Sequence, residues 1–240
     1  MSSAVYRHTL WVRVAHWINV VAMTILLMSG LQIFNAHPAL DWGERSGIDA
    51  AGNPGTWQDG TLKLRAFPWW TTLPGRQWLA MGRRWHFFFA WIFVINGVAF
   101  GAYALISRHL ARDLLPTRGE LAHLPNAVAD HAHLRFPEGE AAKRYNVLQK
   151  LAYLVAVFVL GPLIVLAGLA MSPALDAGFP GLLALFGGRQ SARTIHFLCA
   201  FAFLGFVAIH LTMVVLSGVW NNLRSMITGR YVIDGGGGDG

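Results

Sequence analysis

Polar and apolar positions are distributed very unevenly along this chain. Four stretches, Val14–Phe34, Trp85–Ile106, Leu151–Met171 and Ile195–Val219, contain no Asp, Glu, Lys or Arg, and the shortest is 21 residues long. At about 1.5 Å per residue, each is long enough to cross a hydrocarbon layer of about 30 Å as a helix. The pattern predicts an all-α integral membrane protein, with one domain over residues 1–234 and helices at about 14–34, 85–106, 151–171 and 195–219. The first run exceeds the apolar core of a secretory signal and ends without a small-x-small cleavage site, so it is read as a permanent helix. Residues 235–240, rich in glycine, are expected to be a disordered tail.

Composition supports a membrane setting: 55% of residues are hydrophobic and only 13% charged. The formal charge is +7, but Lys and Arg are spread over loops and helix ends without a basic stripe or a nucleic-acid motif. Basic loops held at a membrane surface account for that charge better than a nucleic-acid partner does. The loop 35–84 carries Trp42, Trp57, Trp69, Trp70 and Trp78 among several Pro and Gly residues. It reads equally as an aromatic belt at headgroup level and as a docking surface for a partner protein. The loop 107–150 carries seven Lys and Arg residues. With the N-terminus inside, 11 Lys and Arg fall on the cytoplasmic side and 8 on the other, which predicts cytoplasmic N- and C-termini.

Four of the ten histidines, His16, His86, His196 and His210, lie at or within the predicted spans. Ionisable residues there are costly and point to function, although a neutral imidazole bonded to a neighbouring helix is the plain alternative. His196 and His210 are 14 residues apart on one helix, so they face the same way at two depths about 21 Å apart. Following the helices up and down through the membrane pairs His86 with His196 near the outer surface, and His16 with His210 towards the inner one. Two imidazoles at one depth meet the axial demand of a haem iron, whose ring supplies the other four ligands, whereas a zinc site needs three or four protein ligands. The single cysteine, Cys199, rules out a CxxCH attachment. Any haem is then non-covalently held, as in b-type cytochromes.

Arg13, Arg83 and Arg193 each stand three residues before a candidate ligand, His16, His86 or His196. That interval puts both side chains on one helix face, with the guanidinium on the water side, where it can pair with a haem propionate. Arginine flanking a membrane helix produces the same pattern. Gly30 follows His16 by the same 14 residues, which places it on the same face at the depth of the outer haem. There it would admit the ring or serve ordinary helix packing. No catalytic acid–base constellation is evident. His8 and Asn19 are candidates for contact with quinone at the inner end.

Taken together, Arg13-Val14-Ala15-His16-Trp17, His86 at the head of the second helix and the His196/His210 interval resemble the di-haem cytochrome b subunits of nickel-iron hydrogenases and formate dehydrogenases, together with the bacterial cytochrome b561 proteins. Leu31-Gln32-Ile33-Phe34-Asn35-Ala36-His37-Pro38 and Gly187-Gly188-Arg189-Gln190-Ser191-Ala192-Arg193-Thr194 resemble the thiosulfate-reductase-type branch. The resemblance covers all four helices. It implies two haems b in a four-helix bundle of the bacterial inner membrane, in a respiratory chain. It further implies electron exchange between a periplasmic molybdopterin oxidoreductase subunit and membrane quinone. The smaller b561 proteins suggest a rival activity, a stand-alone oxidase of superoxide that reduces quinone. The two long loops and the lack of room for a fifth helix depart from the minimal b561 and hydrogenase-type patterns respectively.

Overall fold

The computed structural model describes residues 3–44, 66–75, 78–133 and 146–233. Trp57 and the glycine-rich tail fall outside them. Four long helices dominate: α1 (Leu10–Phe34), α2 (Leu79–Ile106), α3 (Val147–Ala170) and α4 (Arg189–Leu216). Each is long and apolar enough to cross a membrane, and their most apolar windows are only 11–17% buried within the protein. So much exposed apolar surface is stable against lipid, which identifies a multi-pass membrane protein.

All four helices begin before their charge-free runs, taking an arginine or lysine into their first two turns. What starts α3 is a cap: Asn146 accepts from Leu148 N–H while Gln149 reaches back to the Asn146 N–H. The fourth run, predicted to 219, stops at Leu216. Gly218 takes the left-handed conformation (φ +99°), which a residue with Cβ resists, and a separate amphipathic helix α5 (Val219–Thr228) follows. Midway along α3, a π-helical turn over Val155–Leu160 precedes Gly161-Pro162. Proline lacks the N–H and crowds the carbonyl four residues earlier, and a widened turn absorbs that conflict.

The chain divides into two compact units. One draws on Met1–Trp17, Gly97–Leu160 and Phe203–Gly240, the other on Ile18–Asn96 and Gly161–Ala202. In the first unit, strands β1 (Ser3–Tyr6) and β2 (Arg230–Ile233) pair antiparallel, Tyr6 opposite Arg230, and join the two ends of the described chain. The tight turn at Gly229 (φ +83°) lies against Tyr6, where a Cβ would come within 2.7 Å of the ring. The 107–150 segment contributes the short helices Arg118–Ala122 and Leu124–Ala132. Buried Lys150 donates to both oxygens of Glu120, at 2.8 and 3.0 Å. That donation, with the Thr117 N–H, holds the Glu120 carboxyl below its ordinary range.

The second unit packs α3 against α4 through small side chains. Ala167, Ala170 and Ala192 are almost fully buried beside Phe186, the close backbone approach expected where lipid leaves only packing to hold helices together. Asn96 of α2 donates to Asn19 of α1 at 2.8 Å, a contact of about 1 kcal/mol in this setting. The segment after α1 is stitched to the start of α4. Gln190 N–H donates to the Gly43 carbonyl, Gly43 N–H to Ser191 Oγ, and Thr194 Oγ1 to the Asp41 carbonyl. Gly188 (φ +110°) allows this, since a Cβ there would stand 2.6 Å from the Gly43 backbone.

Candidate functional site

Each unit brings one histidine pair together. In the second, the rings of His86 (α2) and His196 (α4) have centroids 6.0 Å apart with planes inclined at 62°. In the first, His16 (α1) and His210 (α4) lie 6.2 Å apart at 64°. Two metal–imidazole bonds of about 2.0 Å in line, with about 1.1 Å from each ring centre to its nitrogen, separate ring centres by about 6 Å. Both pairs therefore already have the spacing that a six-coordinate haem iron needs. Among the described residues no group of three or more His, Cys, Asp or Glu converges to hold a metal ion by itself.

Hydrogen bonding fixes the tautomer of His196. His196 Nδ1 lies 2.8 Å from the Ile164 carbonyl on α3. A carbonyl only accepts, so Nδ1 carries the proton and Nε2 keeps its lone pair. His86 Nδ1 lies 3.1 Å from Ser29 Oγ on α1. Glycines stand beside both rings: a Cβ on Gly30 would be 3.4 Å from His86 Cε1, and one on Gly168 3.1 Å from His196 Cε1. Gly30 thus lies against an imidazole, where the sequence left open admitting the haem ring or ordinary helix packing. Ser29, Ile164 and Gly168 were not singled out from sequence. The adjacent small residues Ser29-Gly30, and Gly161 and Gly168 seven apart on one helix face, were the available signals.

The His16/His210 pair is held differently. Phe206, one turn before His210, stacks on it at 6.1 Å and 11°, and Tyr153 meets Phe206 edge-on. Trp17 meets the His16 ring at 5.4 Å and 76°, with its own Nε1 donating to the Met226 carbonyl of α5.

The three arginines differ as well. Arg13 Nη1 donates to the Ile227 carbonyl near the end of α5, where a cation suits the helix dipole. Its Nε is buried with no partner, an orphaned donor of the kind an added anionic group would satisfy. Arg193 donates to the His37 carbonyl and lies over the Phe34 ring at 5.5 Å. Arg83 is exposed, its guanidinium 5.8 Å from the Phe87 ring. Nearby titratable groups outside the spans lean neutral. Burial, reinforced by Arg7, His16, Arg13 and His109, depresses His8 to about 4, and burial with Arg193 lowers His37 against an opposing Asp41.

A family model for the prokaryotic cytochrome b561 proteins matches residues 7–229. The chain belongs to this family. Cytochromes b561 bind haem b and carry electrons in membranes, and the two histidine pairs, the freed Nε2 of His196 and the orphaned Arg13 Nε all suit such a group. A relative from Azospira oryzae, provisionally named protein-methionine-sulfoxide reductase subunit YedZ1, is 33% identical over 236 residues, covering 96% of this chain and 100% of the relative. No solved structure matches this b561 chain.

Proposed function

We propose that this b561 protein is the membrane subunit of a two-component oxidoreductase and links membrane quinone to a redox subunit on the periplasmic face of the bacterial inner membrane. The observation that carries the reading is the gathering of four intramembrane histidines into two pairs with ring centres 6.0 and 6.2 Å apart. Each pair would hold one haem b through its two imidazoles, two haems per chain. When bound, these groups supply reversible one-electron chemistry between ferric and ferrous iron. The chain's own residues fix the ligands. Ile164 and Ser29 orient the imidazoles of one site, Phe206 and Trp17 pack those of the other, and Arg13, Arg83 and Arg193 offer cationic partners to propionates.

The bias of basic residues puts both termini inside and the His86/His196 pair outside. The segment 35–84, whose Trp42, Trp69, Trp70 and Trp78 are all exposed, is then the docking face. The relative's name, a reductase subunit, supports a reductase as partner and electron flow from quinol towards it, and the thiosulfate-reductase-type resemblance favours a molybdopterin enzyme. The decisive experiment combines the purified full-length chain, a short-chain quinol and the co-purifying soluble subunit. Quinol is expected to reduce the partner only when this chain is present. Superoxide reducing the chain's haem with no partner, while quinol leaves the partner oxidised, would instead favour the stand-alone oxidase.

A further inference from the structure

Ser29 is fully buried in an apolar stretch of α1, and its contacts form a directed chain. Its Oγ lies 2.6 Å from the Ile25 carbonyl, the usual fold-back of a serine onto its own helix. A hydroxyl has one hydrogen and a carbonyl can only accept, so that hydrogen is committed to Ile25, with Leu26 sharing it at 3.2 Å. At the 3.1 Å contact with His86 Nδ1 the serine must therefore accept, and Nδ1 must carry the proton. The tautomer that leaves Nε2 bare on His86 is thus favoured from a neighbouring helix by a side chain, together with the Leu26 carbonyl of that same helix. His196 receives the same instruction from a main-chain carbonyl, which no substitution removes.

We propose that Ser29 is a positioning residue for His86: by accepting from Nδ1 it fixes the direction of that contact and so holds the ring plane against that of His196. This rests on the reading that His86 and His196 ligate a haem. Accepting from Nδ1–H also makes the imidazole a stronger donor to iron, which favours the ferric state. The Leu26 carbonyl accepts from the His86 ring as well. Removing the hydroxyl leaves Nδ1–H to donate to the Leu26 carbonyl alone, which lies in another direction, so the ring turns while Nε2 remains available to ligate.

The test uses purified full-length Ser29→Ala, Ser29→Thr and His86→Ala, with haem count, optical redox titration and low-temperature EPR. Ser29→Ala is expected to keep two haems, raise the midpoint potential of one and shift that haem's largest g value, with the other component unmoved. Ser29→Thr, which keeps the hydroxyl, is expected to restore both values. Should Ser29→Ala lose one haem that Ser29→Thr retains, the hydroxyl is again the cause and the proposal stands. Wild-type potential and g value in Ser29→Ala, loss of both haems together, or an equal defect in the Thr variant would overturn it. His86→Ala separates the two ideas. If it loses one haem while Ser29→Ala is silent, only the positioning role fails; if it retains both haems, the ligation reading fails and takes this inference with it.

Discussion

The two histidine pairs have nearly the same spacing and are built by different means. His86 and His196 are each fixed at Nδ1 by a neighbouring helix, through Ser29 and Ile164. None of the described residues hydrogen-bonds to His16 or His210, whose rings rest on Trp17 and Phe206. The buried donor left unpaired is also on that side, Arg13 Nε. The difference teaches that the polypeptide fixes the imidazoles of one pair by hydrogen bonds and those of the other by aromatic packing alone. An imidazole held by aromatic packing alone keeps rotational freedom about its χ2 torsion, and an unpaired buried guanidinium nitrogen costs about 1–3 kcal/mol until an anion arrives.

The largest effect expected from breaking this comparison is loss of a haem. His86→Ala and His196→Ala should remove the same spectral component, and His16→Ala and His210→Ala the other, each halving the haem content in a pyridine extract. If His16→Ala and His86→Ala abolish one and the same component, the pairing is wrong. Next in size is the charge beside each site. Arg13→Leu should lower the potential of the His16/His210 haem by tens of millivolts, on a scale of about 59 mV per tenfold change for one electron, because removing positive charge favours the oxidised iron. Arg83→Leu should lower the potential of the His86/His196 haem by less, since the Arg83 side chain is exposed and screened. Equal shifts at both haems in either variant would count against a local partner.

A smaller effect is expected at the tryptophans. Ala substitution at Trp69 and Trp70, 53% and 67% exposed, should slow partner-driven reduction or oxidation in stopped-flow while leaving haem content and quinol-driven reduction intact. Lower insertion with unchanged transfer per folded molecule would make them a lipid belt. The smallest concerns acidity. His8 is held near 4, below its unfolded value of 6.5, so between those values the unfolded chain binds more protons than the folded one. Its contribution to stability is complete above about 6.5 and is lost as pH falls towards 4. The melting temperature in detergent should drop over that window, and His8→Gln should flatten part of the drop.

Much of this architecture was legible because membrane spans are written in long charge-free runs and because histidine is rare enough within them to be paired by depth. The spacing of His196 and His210 on one helix carried the two-site arrangement before any coordinates. Helix ends were less legible, since charge marks where a helix leaves lipid and caps mark where it ends: Asn146 and Gln149 begin α3 ahead of its apolar run, and Gly218 ends the fourth run early. The short β1/β2 ladder left no trace in an otherwise apolar, helical pattern. Ser29 and Gly168 were hidden for a different reason. Their importance lies in which ring stands opposite, and a small residue in an apolar run does not name its neighbour. Arg193 shows the same limit: its interval to His196 suggested a partner for a haem propionate, and did not name the His37 carbonyl and Phe34 ring that the fold sets beside it. Asn19, a candidate for quinone contact, is likewise engaged by Asn96.

The most direct test of the central claim, that the two histidine pairs hold two separate haems, is a quantitative haem count on the purified full-length chain, by pyridine haemochrome against amino-acid analysis, with EPR on the same sample. The account predicts two haems b per chain, both low-spin and six-coordinate with two imidazole ligands. A count near one or zero, or a high-spin component from an open axial position in the fully loaded protein, would contradict it.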